Sequence, residues 1–341
     1  MPISAELRVS MRFQHILPRR AWLPLIAAVA CRSTTPEIAP SAPPAPGGIA
    51  ADVAYLAGPA FAGREAGTPG NDSAAVFLAR RYQALGLQGA FPEICETGAS
   101  CGATYFQYFK GQEIGGHNVG SYIRGSDPDL YRQFVVVGAH FDHLGRSPRF
   151  ALDPDLLSSL RPGADDNASG TAAVLELARR LAANPPARSV LLVHFDAEEW
   201  GLIGSRAFAL RPPIPASAIV FMLNLDMVGR LRGHDLLIDG SMGDSTSRAL
   251  ADSVTKAMKV PAARSSASAG RSDHVMFALI SVPALSLTSG FHSDYHRVTD
   301  VASRIDVPGL TRIVDVAEGI VRAAATRNWP AHQSSSSISP R

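Results

Sequence analysis

Imidazole and carboxylate side chains cluster at five points along the chain. The clusters are His140-Phe141-Asp142, Gly163-Ala164-Asp165-Asp166-Asn167, Asp196-Ala197-Glu198-Glu199, Asn224-Leu225-Asp226, and a segment holding His292, Asp294, Tyr295, His296 and Asp300. Nitrogen and oxygen ligands without thiolates suit zinc or a similar divalent ion. Five ligands exceed the three plus water of one open catalytic zinc. They suit two ions about 3.5–4 Å apart that share one bridging carboxylate, an arrangement that clamps both an attacking water and the carbonyl oxygen of an amide. Each ion lowers the pKa of bound water from about 16 toward 7, and a free carboxylate nearby takes its proton. Glu198 and Glu199 are adjacent, and side chains alternate along an extended backbone, so one can bind metal while its neighbour faces the substrate. Taken singly, these residues have ordinary explanations: a strand-end Asp is more often a cap or an ion-pair partner, and acids favour helix starts. The joint placement carries the inference.

That placement depends on the elements around the clusters. Residues 134–139, 189–195, 219–225 and 282–287 are short apolar runs, the pattern of strands buried on both faces. Ala74, Ala75, Phe77, Leu78, Arg81, Tyr82 and Leu85 recur at helical spacing, with Gly86 as a stop. Residues 168–183 form a helix with Ala172, Leu175, Ala178 and Leu181 facing inward, and further helices are expected near 245–258 and 308–325. The stretch between Leu87 and residue 118 reads as loop-rich, followed by a strand over 118–123. Alternating strands and helices predict an α/β fold, a three-layer α/β/α sandwich around a mostly parallel or mixed central sheet. Ligand sites in such sheets lie beyond the carboxyl ends of the strands, where the clusters fall.

The chain has 341 residues, 46% hydrophobic and 18% charged, a globular balance with no apolar run long enough to span a membrane. At the N-terminus Arg19 and Arg20 precede an apolar stretch ending in small residues and Cys31, which predicts a signal peptide over 1–30. Removing four arginines and one glutamate of that leader from the 32 basic and 30 acidic residues leaves 28 and 29, a net of −1. Such a protein has no bulk attraction to nucleic acid. Cys31 resembles a bacterial lipoprotein site and offers a membrane tether; the alternative is an ordinary cleaved signal. Residues 31–50, rich in Pro, Ala and Ser, read as a tether, and residues 331–341 as a disordered tail. Cys95 and Cys101 then pair in an oxidising compartment, or remain free thiols or a metal pair.

The segments AHFDHLG, GADDNASG, FDAEEWGLIGS, NLDMVGR, RSDHVMF and HSDYHRVTD occur in that order. Together they closely resemble the di-zinc aminopeptidases of metallopeptidase clan MH (bacterial leucyl-aminopeptidase-like, peptidase family twenty-eight). That group also includes glutamate carboxypeptidases and glutaminyl cyclases. The resemblance implies the zinc exopeptidase-like fold and two zinc ions bound by His140, Asp166, Glu199, Asp226 and His296. Asp166 would bridge, with His140 and Asp226 completing one site and Glu199 and His296 the other. It further implies Glu198 as general base, Asp142 as the partner that orients His140, and Tyr295 as a donor to the developing oxyanion. Asp273 and Asp300 read as supporting acids, and His143, His274 and His292 as structural. Too few residues separate Leu87 from His140 for the inserted domain of larger relatives, so 51–330 is expected to be one catalytic domain. The expected function is an exported, monomeric aminopeptidase acting on peptides with a free N-terminus. Carboxypeptidase or cyclase activity on the same site is the alternative, with Arg230, Arg232, Arg271 and Arg297 as candidate holders of a substrate carboxylate. A non-catalytic metal-binding surface lipoprotein is the alternative from another class.

Overall fold

The computed structural model describes residues 48–94, 100–240, 245–264 and 271–329. The signal peptide, nearly all of the tether, Cys31, the Cys95–Cys101 pairing and the 331–341 tail lie outside the described residues. In chain order the elements are α1 (Ile49–Leu56), α2 (Pro69–Ala84), β1 (Gln88–Gly89), β2 (Phe91–Ile94), β3 (Ser100–Thr104), β4 (Phe106–Lys110), β5 (Gly115–Ile123), β6 (Phe134–His140), α3 (Gly170–Ala183), β7 (Ser189–Phe195), α4 (Ile203–Leu210), β8 (Ile219–Leu225), β9 (Leu236–Gly240), α5 (Ser245–Ala257), β10 (Ala262–Arg264), β11 (Ala284–Thr288) and α6 (Val307–Thr326). Helix α1 starts at Ile49, inside the stretch read from sequence as tether.

Four parallel strands, β7-β6-β8-β11, form the centre of a nine-stranded sheet. Antiparallel β5 joins one side, carrying β1 and β4, and antiparallel β9 joins the other, carrying β10. Every residue of β7 and β8 is buried, as expected for strands covered on both faces. Their side chains alternate between two cores. Val135, Val137, Val190, Leu192, Phe221 and Leu223 pack with α1, α2, α3, α5 and α6. Val136, Leu191, Val193, Phe195 and Met222 pack with Phe208 of α4 and Phe277 of a short 3-10 helix over Asp273–Ile280. These are the three expected layers. The stretch after Leu87, read as loop-rich, holds β1 to β4, strands of two to five residues that are too short for a period-two pattern to stand out.

One buried polar pair between α2 and β7 sets a pH dependence. Tyr82 Oη and His194 Nε2 are 2.8 Å apart and both residues are fully buried. Burial lowers the His194 pKa from 6.5 to about 3. Between those values the unfolded chain binds a proton that the folded chain refuses. The stabilisation is therefore complete above pH 6.5 and is lost as pH falls, at up to about 1.4 kcal/mol per pH unit. In His194→Gln, which still offers Tyr82 a hydrogen-bond partner, urea unfolding at pH 6.5 and pH 4.5 is expected to show a correspondingly flatter slope. A slope equal to wild type would exclude His194 as its source.

Candidate metal centre

The register of the central strands delivers the clusters to one edge. Gly138 of β6 lies opposite Asn224 of β8, so two residues further on His140 and Asp226 leave neighbouring strand ends together. Asp166 sits in the wide turn Ala164–Ser169 that opens α3, and the Asp166–Asn167 peptide is cis. Glu198 and Glu199 follow β7, and His296 lies in the loop after β11. Three non-glycine residues at this edge have left-handed backbone: Ala197 (φ 55°), Met227 (φ 54°) and His296 (φ 55°). Each costs about 1–3 kcal/mol and persists where neighbouring contacts over-determine it. Here Ala197 N donates to Asp196 Oδ1 (2.8 Å), Met227 N donates to Asn167 Oδ1 (3.2 Å), and Leu152 N donates to His296 O (3.1 Å). The turn at Ala197 also corrects one expectation. β7 ends at Phe195, so Glu198 and Glu199 diverge from a turn and not from an extended strand.

His140 Nε2 is 3.4 Å from Asp166 Oδ1 and 3.4 Å from Asp226 Oδ1. His296 Nε2 is 3.2 Å from Asp166 Oδ2 and 3.2 Å from Glu199 Oε2. The two oxygens of Asp166 therefore face two different histidines, each with a second carboxylate beside it. Tetrahedral zinc bonds of about 2.0–2.2 Å set ligand atoms about 3.3 Å apart, which matches these separations. His296 Nε2 is buried between the Asp166 and Glu199 carboxylate oxygens without good hydrogen-bond geometry to either, a setting that suits a shared cation. Glu198 groups with His140 and Asp226, and His143 with Asp166 and Glu199, as further sets whose ligand atoms converge. His143 Nδ1, however, is 2.8 Å from Glu199 Oε1, a hydrogen-bond distance, and leaves Oε2 facing His296. His143, read from sequence as structural, is thus a hydrogen-bond partner of Glu199 inside the candidate site. The only sequence signal was its place three residues after His140.

Electrostatics agree with a cation site. Burial would lower the His296 pKa, yet Asp166 and Glu199 override it and push the value up to about 11. Burial likewise opposes a charge on His140, but Glu198, Asp226, Asp142 and Asp166 hold it well above its ordinary value. Glu199, despite burial and Asp166, is drawn down to about 2 by His143 and His296. Burial pushes the Glu198 carboxyl well above the usual range, with Glu199, Asp273 and Asp226 adding to the effect. Burial also raises Asp273 to about 7. So many buried acids around few cations call for added positive charge.

Supporting contacts hold the arrangement. Asp142 accepts from Glu198 N (3.0 Å) and Glu199 N (3.2 Å), and its carboxylate is 3.6 Å from His140 Nδ1. Asp300 accepts from Asp165 N (2.9 Å) and Asp166 N (3.1 Å). Gly163 (φ 59°) cannot be replaced, because a Cβ there would come within 2.5 Å of the His143 ring. Arg64, absent from the sequence reading as a site residue, is fully buried. It donates to the carbonyls of Phe141 (2.7 Å), Leu56 (2.6 Å), Pro162 (2.8 Å) and Gly163 (2.8 Å), tying the His140 and Asp166 segments together. Burial lowers its pKa to about 10, so it stays charged near neutrality. Arg64→Met leaves those carbonyls without donors and is expected to cost about 3–5 kcal/mol in urea unfolding. A loss under 1 kcal/mol would mean the segments hold themselves.

A cavity of about 260 Å³ opens onto His140, Asp166, Glu198, Glu199 and Asp226, with Met227, Leu237 and Phe291 as apolar wall. Tyr295 also lines it, stacked on the His296 ring at 3.7 Å. Burial and the surrounding acids raise the Tyr295 pKa, so its hydroxyl keeps its proton. Of the four candidate arginines, only Arg271 lines this cavity. Arg230 is paired with Asp294 (3.1 Å) and Asp300 (2.9 Å), Arg232 donates to Arg304 O, and Arg297 to Leu152 O. His292 pairs with Asp165 at 3.0 Å, and His274 lies 3.4 Å from Asp239.

The family model described as Peptidase family M28 matches residues 118–321, more than half of the chain. The chain belongs to peptidase family M28. Among M28-like relatives, a probable lipoprotein aminopeptidase of Mycobacterium tuberculosis is 29% identical over 215 residues, covering 52% of this chain and 39% of its own. A probable zinc metalloprotease of Pyrenophora tritici-repentis is 36% identical over 114 residues, covering 33% of this chain and 24% of its own. This M28 chain thus spans less than half the length of these curated relatives. Its fold matches that of a leucine aminopeptidase precursor from Bacteroides thetaiotaomicron with a TM-score of 0.63 at 19% identity, over 80% of this chain and 95% of the other.

Proposed function

We propose that this M28 chain is a zinc-dependent aminopeptidase with two zinc sites, one held by His140, Asp166 and Asp226 and the other by Asp166, Glu199 and His296. The observation that carries the reading is the Asp166 carboxylate, whose two oxygens each face a separate histidine–carboxylate pair. Zinc bound there would supply Lewis acidity, polarising the scissile carbonyl and making water nucleophilic near neutral pH. The chain's own residues do the rest. Glu198, held by its backbone on Asp142 and ionised once the positive charge of zinc offsets its burial, would take the proton from the attacking water and pass it to the leaving amine. Tyr295, protonated and lining the same cavity, donates to the oxyanion as it forms. Asp142 keeps His140 and the Glu198–Glu199 turn in register. The concentration of acids suits a substrate ammonium, and so a free N-terminus.

Arg271 at the cavity wall supports the second reading, a carboxypeptidase that holds a C-terminal carboxylate. A panel of amino-acid amides and N-blocked peptides, assayed with zinc, separates the two. Hydrolysis of free-amine substrates alone is expected; hydrolysis of blocked peptides at their C-terminus would replace the first reading with the second. The same proposal treats residues 51–330 as one catalytic domain of an exported monomer, with Cys31 as its lipid anchor. The lipoprotein relative supports the export reading.

A further inference from the structure

A cavity of about 740 Å³ lies apart from the candidate ligands and begins at the residue after Glu199. Its floor includes Trp200 and Ile203, and its rim carries Lys110, Arg149, Arg206 and Arg211 against one acid, Glu113. Arg149 is committed locally: its guanidinium lies 4.5 Å from the Trp200 ring centre and 3.0 Å from Glu113 Oε2. Arg211 donates to Tyr108 O at 3.3 Å, which leaves its charge uncompensated. Among the described residues Lys110, Arg206 and Arg211 have no acid within ion-pair distance. This is a concentration of positive charge on a chain whose body is close to neutral.

Both walls of the groove are continuous along the chain with segments of the candidate site. Trp200 follows Glu199 directly, and Arg149 precedes Phe150, whose carbonyl is 3.0 Å from His296 Nδ1. The 260 Å³ cavity is below the usual range for ligand pockets, roughly 300–1,000 Å³, and suits a single residue. The rest of a peptide must leave it. Resting on the aminopeptidase reading, we infer that this groove holds the part of the substrate beyond the scissile bond and selects carboxylates there. Those carboxylates come from Asp or Glu side chains or from the C-terminus of a short peptide. The apolar floor receives the side-chain stems, and the rim cations attract the acids over a range that salt shortens.

The test compares leucine amide with three leucyl tetrapeptides: glutamate at positions three and four with an amidated end, glutamine at both with an amidated end, and glutamine at both with a free acid end. The wild-type enzyme is expected to favour the glutamate peptide over its glutamine counterpart by about five-fold in kcat/KM, carried by KM, and to lose the preference in about 0.5 M salt. Lys110→Gln combined with Arg206→Gln should abolish the preference and leave leucine amide turnover unchanged. The free-acid peptide tells whether a terminal carboxylate substitutes for side chains. Equal turnover of glutamate and glutamine peptides by wild type, or a preference that survives in the double variant, would overturn the inference. If leucine amide is not hydrolysed at all, the aminopeptidase reading fails instead. The groove is then judged by binding, followed through the fluorescence of Trp200 with Trp200→Phe as blank. Salt-sensitive binding of the glutamate peptide supports it, and equal binding of both peptides overturns it.

Discussion

Glu198→Gln is expected to lower kcat/KM about 10³-fold or more, a loss of about 4 kcal/mol in transition-state stabilisation, while zinc content stays at the wild-type level. Glutamine keeps the shape of the side chain and the backbone hydrogen bond to Asp142, but it cannot take up a proton. The zinc measurement matters as much as the rate, because Glu198 converges with His140 and Asp226 closely enough to be a ligand itself. Retained zinc with lost turnover fits a base. Lost zinc would make Glu198 a ligand and leave the base unassigned, and full turnover would remove it from the chemistry.

Asp166→Ala is expected to be the most damaging single substitution at the site. Asp166 is held well below the ordinary carboxylate range: burial works against its charge, but His140, His296 and His143 outweigh it. Removing it takes one oxygen from each of the two proposed sites. Elemental analysis of purified variant should find less than one zinc per chain, with turnover at the limit of detection. Asp226→Ala, by contrast, removes a ligand from only one pair and should retain close to one zinc per chain. Identical zinc loss in both variants would mean that the two sites fill only together. Full zinc in Asp166→Ala would end the bridging role and the two-site arrangement with it.

The central architecture was legible in the sequence because strands buried on both faces are apolar without interruption. Ser189–Phe195 and Ile219–Leu225 appear with the boundaries expected. The ligand-type residues were legible because strand ends in such a sheet share one edge. Strands β1 to β4 were not, since short flanking strands with mixed exposure carry little periodicity. The divergence of Glu198 from Glu199 was anticipated for the wrong reason, because a left-handed alanine leaves no trace in the sequence as a glycine would. The supporting contacts of His143 and Arg64 were not legible for a common cause. Their contribution lies in what they hydrogen-bond, across 56 residues for His143 and up to 99 for Arg64, and no local pattern records such pairings.

Arg64 has one more consequence. The family match starts at residue 118, yet the guanidinium that binds the His140 and Asp166 segments to each other comes from upstream of it. Asn71 does likewise, donating to Asp196 at 3.0 Å just before the Glu198–Glu199 turn. A fragment trimmed to the matched region would carry every proposed zinc ligand and lack the struts that aim them. The smallest fragment expected to keep the proposed site in shape therefore begins upstream of Arg64, and α2 belongs to that site through the one acid it holds.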